Sequence, residues 1–312
     1  MRIVAKSIMN SAWIISALLV EPAIGQAIAA DRAGNAPAAF HTRFHIQAHR
    51  GAGIDAPENT LEAFLMSWAL GVVPEADLRT TKDNVIVCFH DPDLTRVVSN
   101  IEPDAKTMSV EQLGVAQVKE LEVGSFRGKR FAGQRVPLLA DVFAALRGRP
   151  QRLLYLDIKT VDLDELAALI REYGVQKQVI FTSEKYPLIR SWKKELPASA
   201  TLLWNRGSEE QLTAKLQSLR DANFADITYL QIHVHVDDLT SDDPFKPSSS
   251  FLRDVGRELK SRGIVFQVLP WKCADPRAYA KLLELGVASF ATDYPETTVR
   301  VVRQFLSENG PK

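Results

Sequence analysis

The sequence lacks a net charge: over 312 residues, its 38 lysine and arginine side chains are balanced by 38 aspartates and glutamates. A protein without a global field is not drawn to nucleic acid or to an anionic membrane surface. We therefore expect no nucleic-acid partner, and a small-molecule substrate that is recognised by a few placed groups. The composition gives no indication of the oligomeric state.

Cysteine is scarce, and the chain contains Cys88 and Cys273 alone. Two cysteines without supporting histidine spacing do not make a zinc site. They are far apart in the sequence, each in or just after a predicted strand. A disulfide between them is compatible with an oxidising compartment, but we expect two free thiols.

The sequence also lacks an apolar run of the roughly 20 residues that a membrane-spanning helix needs. A shorter apolar run at 8–20 follows Arg2 and Lys6, and Ala27 and Ala29 offer the small residues of a cleavage site. This pattern is typical of a secretory signal peptide at 1–29, followed by a linker at 30–44. We expect a periplasmic or secreted protein, with an uncleaved amphipathic anchor as the alternative.

From residue 45 onward, short apolar segments of strand type alternate with helical patterns. Eight strand candidates lie at 45–49, 73–79, 153–159, 178–182, 201–205, 228–235, 264–269 and 288–292. Helical patterns lie between most of them, at 59–70, 163–173, 208–221, 251–262 and 276–285. Because crossovers of this length force parallel pairing, the sequence predicts an α/β fold, a (β/α)8 TIM barrel over 45–312.

A further strand-like segment, 85–90, follows Arg79 too closely for a parallel crossover. We predict that it folds back as an antiparallel β-hairpin beside the second strand and carries His90 and Asp91 to the ends of the barrel strands. The stretch at about 92–150 is then a small insertion, helical at 109–113 and 139–146. Its middle, at 124–135, is expected to lie over the barrel face.

Side-chain alternation along the strands predicts that ionisable groups point into the barrel. In 154–159 the leucines and the isoleucine share the outer face, which leaves Tyr155, Asp157 and Lys159 inside. Three other strands present polar inner faces, formed by His45, Gln47 and His49, by Glu75, Asp77 and Arg79, and by Gln231, His233 and His235. Barrel active sites are built at the carboxyl ends of the strands, where such groups meet.

Glu75 and Asp77 place two carboxylates on one strand face, where they repel each other unless a cation or basic groups neutralise them. Asp157 supplies a third oxygen ligand from another strand. Oxygen ligands suit calcium or magnesium rather than zinc. A Glu-x-Asp pair alone is more often a solvated face or a salt bridge, but the combination with Asp157 and two flanking histidines predicts a site for one divalent cation.

The segment His49-Arg50-Gly51 ends the first strand, and His90-Asp91 ends the hairpin. Histidine both takes and gives a proton near neutral pH, and arginine presents a forked donor set suited to phosphate oxygens. A single histidine at a strand end is more often a structural hydrogen bonder. Two histidines that face a carboxylate site instead predict an acid–base pair.

The segment Pro57-Glu58-Asn59-Thr60 leads into the first predicted helix. Asn59 fits a helix N-cap with Glu62 as its capping-box partner, so Asn59 and Thr60 are interpreted as structural. Glu58 is a candidate to brace Arg50 or a ligand shell.

In order and spacing, these motifs resemble the signature of the glycerophosphodiester phosphodiesterase family. The resemblance covers roughly residues 45–297. It rests on Gln47-Ala48-His49-Arg50-Gly51, Pro57-Glu58-Asn59-Thr60, Glu75-Ala76-Asp77, Thr81-Lys82-Asp83, Phe89-His90-Asp91, Leu94-Thr95-Arg96, Val136-Pro137, Leu156-Asp157-Ile158-Lys159, Trp271 and Thr292-Asp293-Tyr294-Pro295.

The resemblance implies roles for individual residues. The acid–base pair would be His49 and His90, and the ligands of one Ca²⁺ or Mg²⁺ would be Glu75, Asp77 and Asp157. Arg50 and Lys159 would contact the phosphate, and Trp271 would line the pocket beside the alcohol.

The sequence departs from the family at two places. The family usually has glutamate where this chain has Asp157, which bears on metal affinity and preference. The residues after Trp271, Lys272-Cys273-Ala274, differ from the common Thr-Val-Asn, which bears on alcohol specificity. Outside the signature, His235 has an inward face that makes it a candidate pocket residue, with a structural role as the alternative.

The function that the resemblance implies is metal-dependent hydrolysis of glycerophosphodiesters to an alcohol and glycerol 3-phosphate. The nucleophile is either a neighbouring substrate hydroxyl, which gives a cyclic phosphate that water then opens, or water itself. Two other functions stay open: a phospholipase D that acts on lysophospholipid or sphingomyelin, and a non-catalytic protein that binds phosphorylated polyols.

Overall fold

The computed structural model describes residues 44–309. The predicted signal peptide and all but the last residue of the predicted linker lie outside the described residues. The strands are β1 His45–Ala48, β2 Val73–Thr80, β3 Ile86–Cys88, β4 Leu154–Thr160, β5 Val179–Ser183, β6 Ala200–Asn205, β7 Tyr229–Val236, β8 Phe245–Lys246, β9 Val265–Pro270 and β10 Ser289–Thr292. The α-helices are α1 Leu61–Leu70, α2 Val115–Val118, α3 Leu139–Leu146, α4 Leu163–Tyr173, α5 Tyr186–Glu195, α6 Glu209–Asp221, α7 Ser249–Ser261, α8 Pro276–Glu284 and α9 Pro295–Asn309.

Eight of the strands form a closed parallel barrel in the order β1, β2, β4, β5, β6, β7, β9 and β10, and β10 pairs again with β1. Each of these strands matches a predicted one to within a residue or two, and the predicted TIM barrel is confirmed. β3 pairs antiparallel with β2, as the short connection requires, and β8 pairs antiparallel with β7.

The barrel strands bury both faces, as strands of a parallel barrel covered by helices do. Their outward apolar side chains pack against the surrounding helices, for example Phe181 against Trp192 of α5 at a ring-centroid distance of 4.5 Å. A separate interior layer contains the apolar and aromatic side chains of Val73, Tyr155, Ile180, Ala200, Leu202 and Tyr229. This layer fills the barrel beneath the polar groups, so the reactive side chains lie towards the carboxyl ends of the strands.

The insertion after β3 packs together with β3 around a small second hydrophobic core, which includes Val87, Leu94, Val110 and Val136. Its loop is held by the buried Glu122, whose Oε1 accepts the backbone N–H groups of Gly124, Ser125 and Gly133, each at 3.0 Å. Within 124–135, Phe131 packs against Ala52 and Ala56, so this segment lies on the loop that follows β1.

Several local predictions need correction. The N-cap of α1 is Thr60, whose Oγ1 accepts a hydrogen bond from the Ala63 N–H, and not Asn59. Residues 110–112 form a single 3₁₀ turn rather than a helix of 109–113. Three helices, α2, α5 and α9, lie outside the predicted helical stretches. The proline at the start of α5 is tolerated because the first helical turn does not need its N–H.

Both cysteines are free thiols, as expected, with Cys88 buried in β3 and Cys273 half-buried. Among the residues described, no helix has the length and hydropathy that crossing a membrane would require.

Candidate active site

The loop after β1 places His49 beside Asp293 at the end of β10. The His49 N–H donates to the Thr292 carbonyl at 3.0 Å, and the Ile54 N–H donates to the Asp293 carbonyl at 2.9 Å. Gly53 has a φ of +58°, and a Cβ at this position would lie 2.2 Å from the Asp293 carbonyl oxygen. Only glycine allows this close approach, so it fixes the position of the histidine.

The three predicted ligand carboxylates lie together at the mouth of the barrel. Asp77 and Asp157 are register partners on the adjacent strands β2 and β4. One oxygen from each of these residues and from Glu75 lies within 4.8 Å of the others. All three residues are buried, at 5%, 1% and 8% exposure for Glu75, Asp77 and Asp157.

Two amide side chains hold the carboxylates in place. Gln47 Nε2 donates to Glu75 Oε2 at 2.8 Å, and Asn59 Nδ2 donates to Asp77 Oδ2 at 2.7 Å. Asn59 also accepts the Asp77 backbone N–H at 2.9 Å and has a φ of +54°, a left-handed conformation that asparagine tolerates. Asn59 therefore orients a carboxylate instead of capping a helix.

Direct contact between these carboxylates and a positive charge comes from a lysine. In the described part of the chain, Lys159 is the cation in contact, with Nζ 2.6 Å from Asp157 Oδ2 and 3.0 Å from Asp77 Oδ1. Asp77 Oδ1 is fully buried, and its ion pair with Lys159 lacks the geometry of a hydrogen bond. Burial and the charges of Glu75 and Asp77 raise the pKa of Asp157 to about 7, against the effect of Lys159.

This donor set fits a divalent cation. Two of the three buried carboxylates are contacted by one lysine, and Asp77 Oδ1 has no well-formed hydrogen bond, so both features suit an added cation. All the ligand atoms are oxygens, which suits a hard cation such as calcium or magnesium. Asp157 stands where the resembled family usually has glutamate, but it still belongs to the cluster, because its shorter side chain reaches the other two carboxylates.

His49 lies at the rim of this cluster and forms a hydrogen bond from Nδ1 to Asp293 Oδ1 at 2.7 Å. Burial by itself would lower the pKa of His49, but the hydrogen bond to Asp293 and the charges of Glu75 and Asp293 raise it to about 9. The ring is therefore protonated near neutral pH, with Asp293 bound to Nδ1–H. Its Nε2–H remains available to donate a proton.

His90 has a different set of partners. Its Nδ1 lies 2.8 Å from Asp91 Oδ1, and its Nε2 lies 2.9 Å from Arg50 Nη2. Arginine has only donors, so Nε2 accepts and Nδ1–H donates to the Asp91 carboxylate. Burial tends to raise the pKa of Asp91, but its bonds to His90 and Arg96 lower it well below the usual value. In this arrangement, Nδ1 of His90 carries the proton and Nε2 presents its lone pair.

Glu58 links the two arginines of this group. It accepts from Arg50 Nη1 at 3.1 Å and from Arg96 Nη1 and Nη2 at 2.7 and 2.6 Å, while Arg96 Nε donates to Asp91 at 2.7 Å. The bonds form a closed ring through His90, Asp91, Arg96, Glu58 and Arg50. The predicted contact of Glu58 with Arg50 is present. Glu58 and Asp91 thus form a second acidic cluster, and both carboxylates are paired with arginine.

A cavity of about 280 Å³ brings most of the predicted site residues together, without Asp77, Glu58 and His235 in its lining. Its lining includes His49, His90, Arg50, Lys159, Glu75, Asp157 and Trp271. Arg50 and Lys159 supply positive charge in this wall, and Trp271 is 38% exposed beside it. A second cavity of about 380 Å³ adjoins it and shares Asp157, Lys159 and Trp204.

The candidate pocket residue of β7 is His233 and not His235. His233 lines the cavity, whereas His235 is exposed at the end of the strand, where β7 pairs with β8 opposite Lys246. The inward alternation expected for His235 therefore does not bring it to the cavity, because the strand has already passed the barrel mouth.

Sequence reasoning missed Asp293, Asp91 and Arg96 as contributors to the site. Each lies within a motif that carries the family resemblance, and Asp293 directly follows the last barrel strand. These motifs were visible in the sequence, but the partners of the residues were not, because Asp293 and His49, for example, are 244 residues apart.

Comparisons with known proteins agree with this geometry. A family model described as the glycerophosphoryl diester phosphodiesterase family matches residues 49–297. A glycerophosphodiester phosphodiesterase of Caldanaerobacter subterraneus subsp. tengcongensis is 28% identical over 265 residues, which cover 82% of this chain and 97% of that protein. A human lysophospholipase D is 28% identical over 298 residues, which cover 88% of this chain and 89% of that protein.

Solved structures share the fold. A glycerophosphoryl diester phosphodiesterase of Parabacteroides distasonis matches with a TM-score of 0.68 and 23% identity, over 87% of this chain and 92% of that one. An Oleispira antarctica phosphodiesterase, solved in complex with the product sn-glycerol-3-phosphate, matches with a TM-score of 0.64 and 23% identity, over 86% of this chain and 99% of that one.

The first prediction concerns the charge state of His49. In Asp293→Asn, burial still lowers the pKa of His49, but the carboxylate that raises this pKa is gone. We therefore expect the His49 pKa to fall from about 9 by at least one unit. Ring-proton NMR titration of the metal-free protein measures this pKa, and Asp275→Asn, an aspartate outside the cavity, is the control. An unchanged His49 pKa would contradict the assigned contact.

The same shift has a consequence for stability. Because the folded-state pKa lies above the ordinary value of 6.5, the pair stabilises the fold fully below pH 6.5, and this contribution disappears as the pH rises through about 9. In Asp293→Asn, the part of the pH dependence of unfolding between these two values should become smaller.

Proposed function

The chain belongs to the glycerophosphoryl diester phosphodiesterase family and is a phosphoric diester hydrolase, and we propose that it hydrolyses glycerophosphodiesters to an alcohol and glycerol 3-phosphate with one divalent cation and a histidine acid–base pair. One observation carries the proposal. Three buried carboxylates, two histidines held by different partners and the two cationic side chains of Arg50 and Lys159 line or border one cavity at the carboxyl ends of the barrel strands.

The ligands of the cation would be Glu75, Asp77 and Asp157. A bound Ca²⁺ or Mg²⁺ would supply charge neutralisation for a phosphate oxygen. Arg50 and Lys159 line the same cavity and can bind the other phosphate oxygens. These positive charges would bind an anionic phosphodiester, and they favour such a substrate over a neutral ligand.

The two histidines would divide the proton transfers. His90 presents the lone pair of Nε2 and can take the proton of the attacking hydroxyl, while His49 is protonated and can give its Nε2 proton to the leaving alkoxide. The ring of hydrogen bonds through Glu58 and Arg96 orients His90, and Asp293 orients His49. Both a substrate hydroxyl and water are compatible nucleophiles in this scheme.

A second candidate function is phospholipase D action on lysophospholipid. The human relative named lysophospholipase D supports it, as do the apolar side chains of Val161, Leu163 and Leu188 in the adjoining cavity. The glycerophosphodiester function is preferred because Glu184 and Lys185 at the same cavity are exposed and charged. The proposal also includes export to the periplasm or the medium, which the N-terminal pattern of the sequence supports.

The second prediction is metal dependence. Purified protein given glycerophosphocholine should release glycerol 3-phosphate, EDTA should abolish the release, and calcium or magnesium should restore it, because the buried carboxylates need a cation. Lysophosphatidylcholine is assayed in parallel. Full activity in EDTA would contradict the metal, and turnover of the lysolipid alone would favour the second function.

The third prediction concerns the acid–base pair. His49→Gln and His90→Gln should each lower kcat by about 10²- to 10⁴-fold with a smaller effect on KM, because each removes a proton transfer. His235→Gln is the matched control, since this exposed histidine lies on the same barrel but outside the cavity. Near-normal turnover in either of the first two variants would remove the assignment.

A further inference from the structure

His233 is held as a flat ring in the wall of the reactive cavity. Trp204 stacks on the ring, with centroids 5.3 Å apart and an interplanar angle of 11°, and Trp271 stacks on it at 5.8 Å and 14°. The strands that lead to these two tryptophans, β6 and β9, flank β7 on either side. Beside two stacked indoles, the edge of the imidazole is the part of the ring that we expect a ligand to contact. His233 lines the cavity together with His49, Arg50 and Lys159.

A chain of buried amides determines which ring nitrogen of His233 carries the proton. The Glu75 carboxylate only accepts, so the atom of Gln47 that faces it, at 2.8 Å, is the donor Nε2. Gln47 Oε1 is then the atom that faces Gln231, and Gln231 Nε2 donates to it at 3.4 Å. Gln231 Nε2 also donates to Gln267 Oε1, so both amide protons of Gln231 are used.

Gln231 consequently has only Oε1 to offer to His233. His233 Nε2 lies 3.1 Å from this oxygen and must donate its proton to it. Nδ1 of the ring then carries a lone pair, and it has no hydrogen-bond partner among residues 44–309. Burial, with the nearby charges of His49 and Arg206, lowers the pKa of His233 to about 4, so the ring is neutral at neutral pH.

We propose that Nδ1 of His233 accepts a hydrogen bond from a hydroxyl of the glycerol moiety and thereby selects polyol phosphates over alkyl phosphates. The inference rests on the proposed function, since it places the glycerol side of the phosphodiester against the cavity wall that contains His233. A hydroxyl is the fitting ligand because the free edge of the ring offers an acceptor, whereas an alkyl group would leave that nitrogen unpaired.

The lone pair of Nδ1 also depends on the cation site. The same Glu75 that would hold the cation fixes Gln47, Gln231 and finally His233 through donors that all run in one direction. A histidine that only filled space between the tryptophans would not need this orientation, because either tautomer stacks equally well.

The fourth prediction tests this selectivity. Dissociation constants of glycerol 3-phosphate and n-propyl phosphate are measured by calorimetry in the presence of calcium for the wild type, His233→Phe and His235→Phe. Phenylalanine keeps the stack but removes the acceptor, so we expect about tenfold weaker binding of glycerol 3-phosphate and less than a twofold change for propyl phosphate. His235→Phe should match the wild type for both ligands.

Equal weakening of both ligands in His233→Phe would show a packing role and overturn the proposal, as would no change in either. A second measurement needs no variant: ¹⁵N NMR of the wild-type histidines should show His233 protonated at Nε2, with the Nδ1 resonance shifting on addition of glycerol 3-phosphate but not of propyl phosphate. A proton on Nδ1 would overturn the proposal.

Failure of the hydrolytic function is distinguishable from failure of this inference. A wild type that binds glycerol 3-phosphate selectively but releases none from glycerophosphocholine would contradict the hydrolysis and leave the role of His233 standing. A wild type that hydrolyses glycerophosphocholine while His233→Phe keeps the full preference for glycerol 3-phosphate would contradict the role of His233 alone.

Discussion

The repulsion among three buried carboxylates at the barrel mouth is the constraint on which the rest of the site depends. Glu75, Asp77 and Asp157 come from two adjacent parallel strands, so the sheet itself forces them together. Taking such charges out of water costs several kcal/mol each unless they are paired. A protein that keeps them must supply positive charge, and Lys159 alone does not balance three carboxylates.

The surrounding hydrogen bonds follow from this constraint. Asn59 and Gln47 donate to the carboxylates and hold them as acceptors, which in turn fixes the orientation of the amides behind them. The ring orientations of the two histidines are fixed by carboxylates outside the cluster. Asp293 forms a hydrogen bond with His49, and Asp91 forms one with His90. Two chemically identical side chains thereby differ at Nε2: that of His90 accepts a hydrogen bond from Arg50, whereas the raised pKa of His49 keeps its ring protonated.

Much of the fold could be predicted from the sequence, because its signals are local. The alternation of apolar segments with helical patterns predicts all eight barrel strands, and the short connection after Arg79 predicts the antiparallel hairpin. The inward faces of β2 and β4 likewise follow from the period of two. The predicted N-cap of α1 was wrong. Asn59 fits the local sequence pattern of a cap, but its side chain forms a hydrogen bond with Asp77 of β2, a partner that the local pattern does not reveal.

The partners within the site could not be predicted in the same way. The contacts of His49 with Asp293 and of Gln231 with Gln47 join residues 244 and 184 positions apart, and they depend on how the barrel closes. The choice between His233 and His235 depends on where β7 passes the barrel mouth, which alternation alone does not give. Hydrogen-bond direction, and with it the tautomer of His233, emerges only from the assembled chain of acceptors and donors.

The most direct test of the central claim is the position of a bound cation. Crystals of the protein grown with Mn²⁺, an ion that prefers oxygen ligands as calcium and magnesium do, would be measured for anomalous scattering. The account predicts one peak among the carboxylates of Glu75, Asp77 and Asp157. An absence of density there, with Lys159 still bridging Asp77 and Asp157, would contradict it, as would a single peak at Glu58, His90 and Asp91.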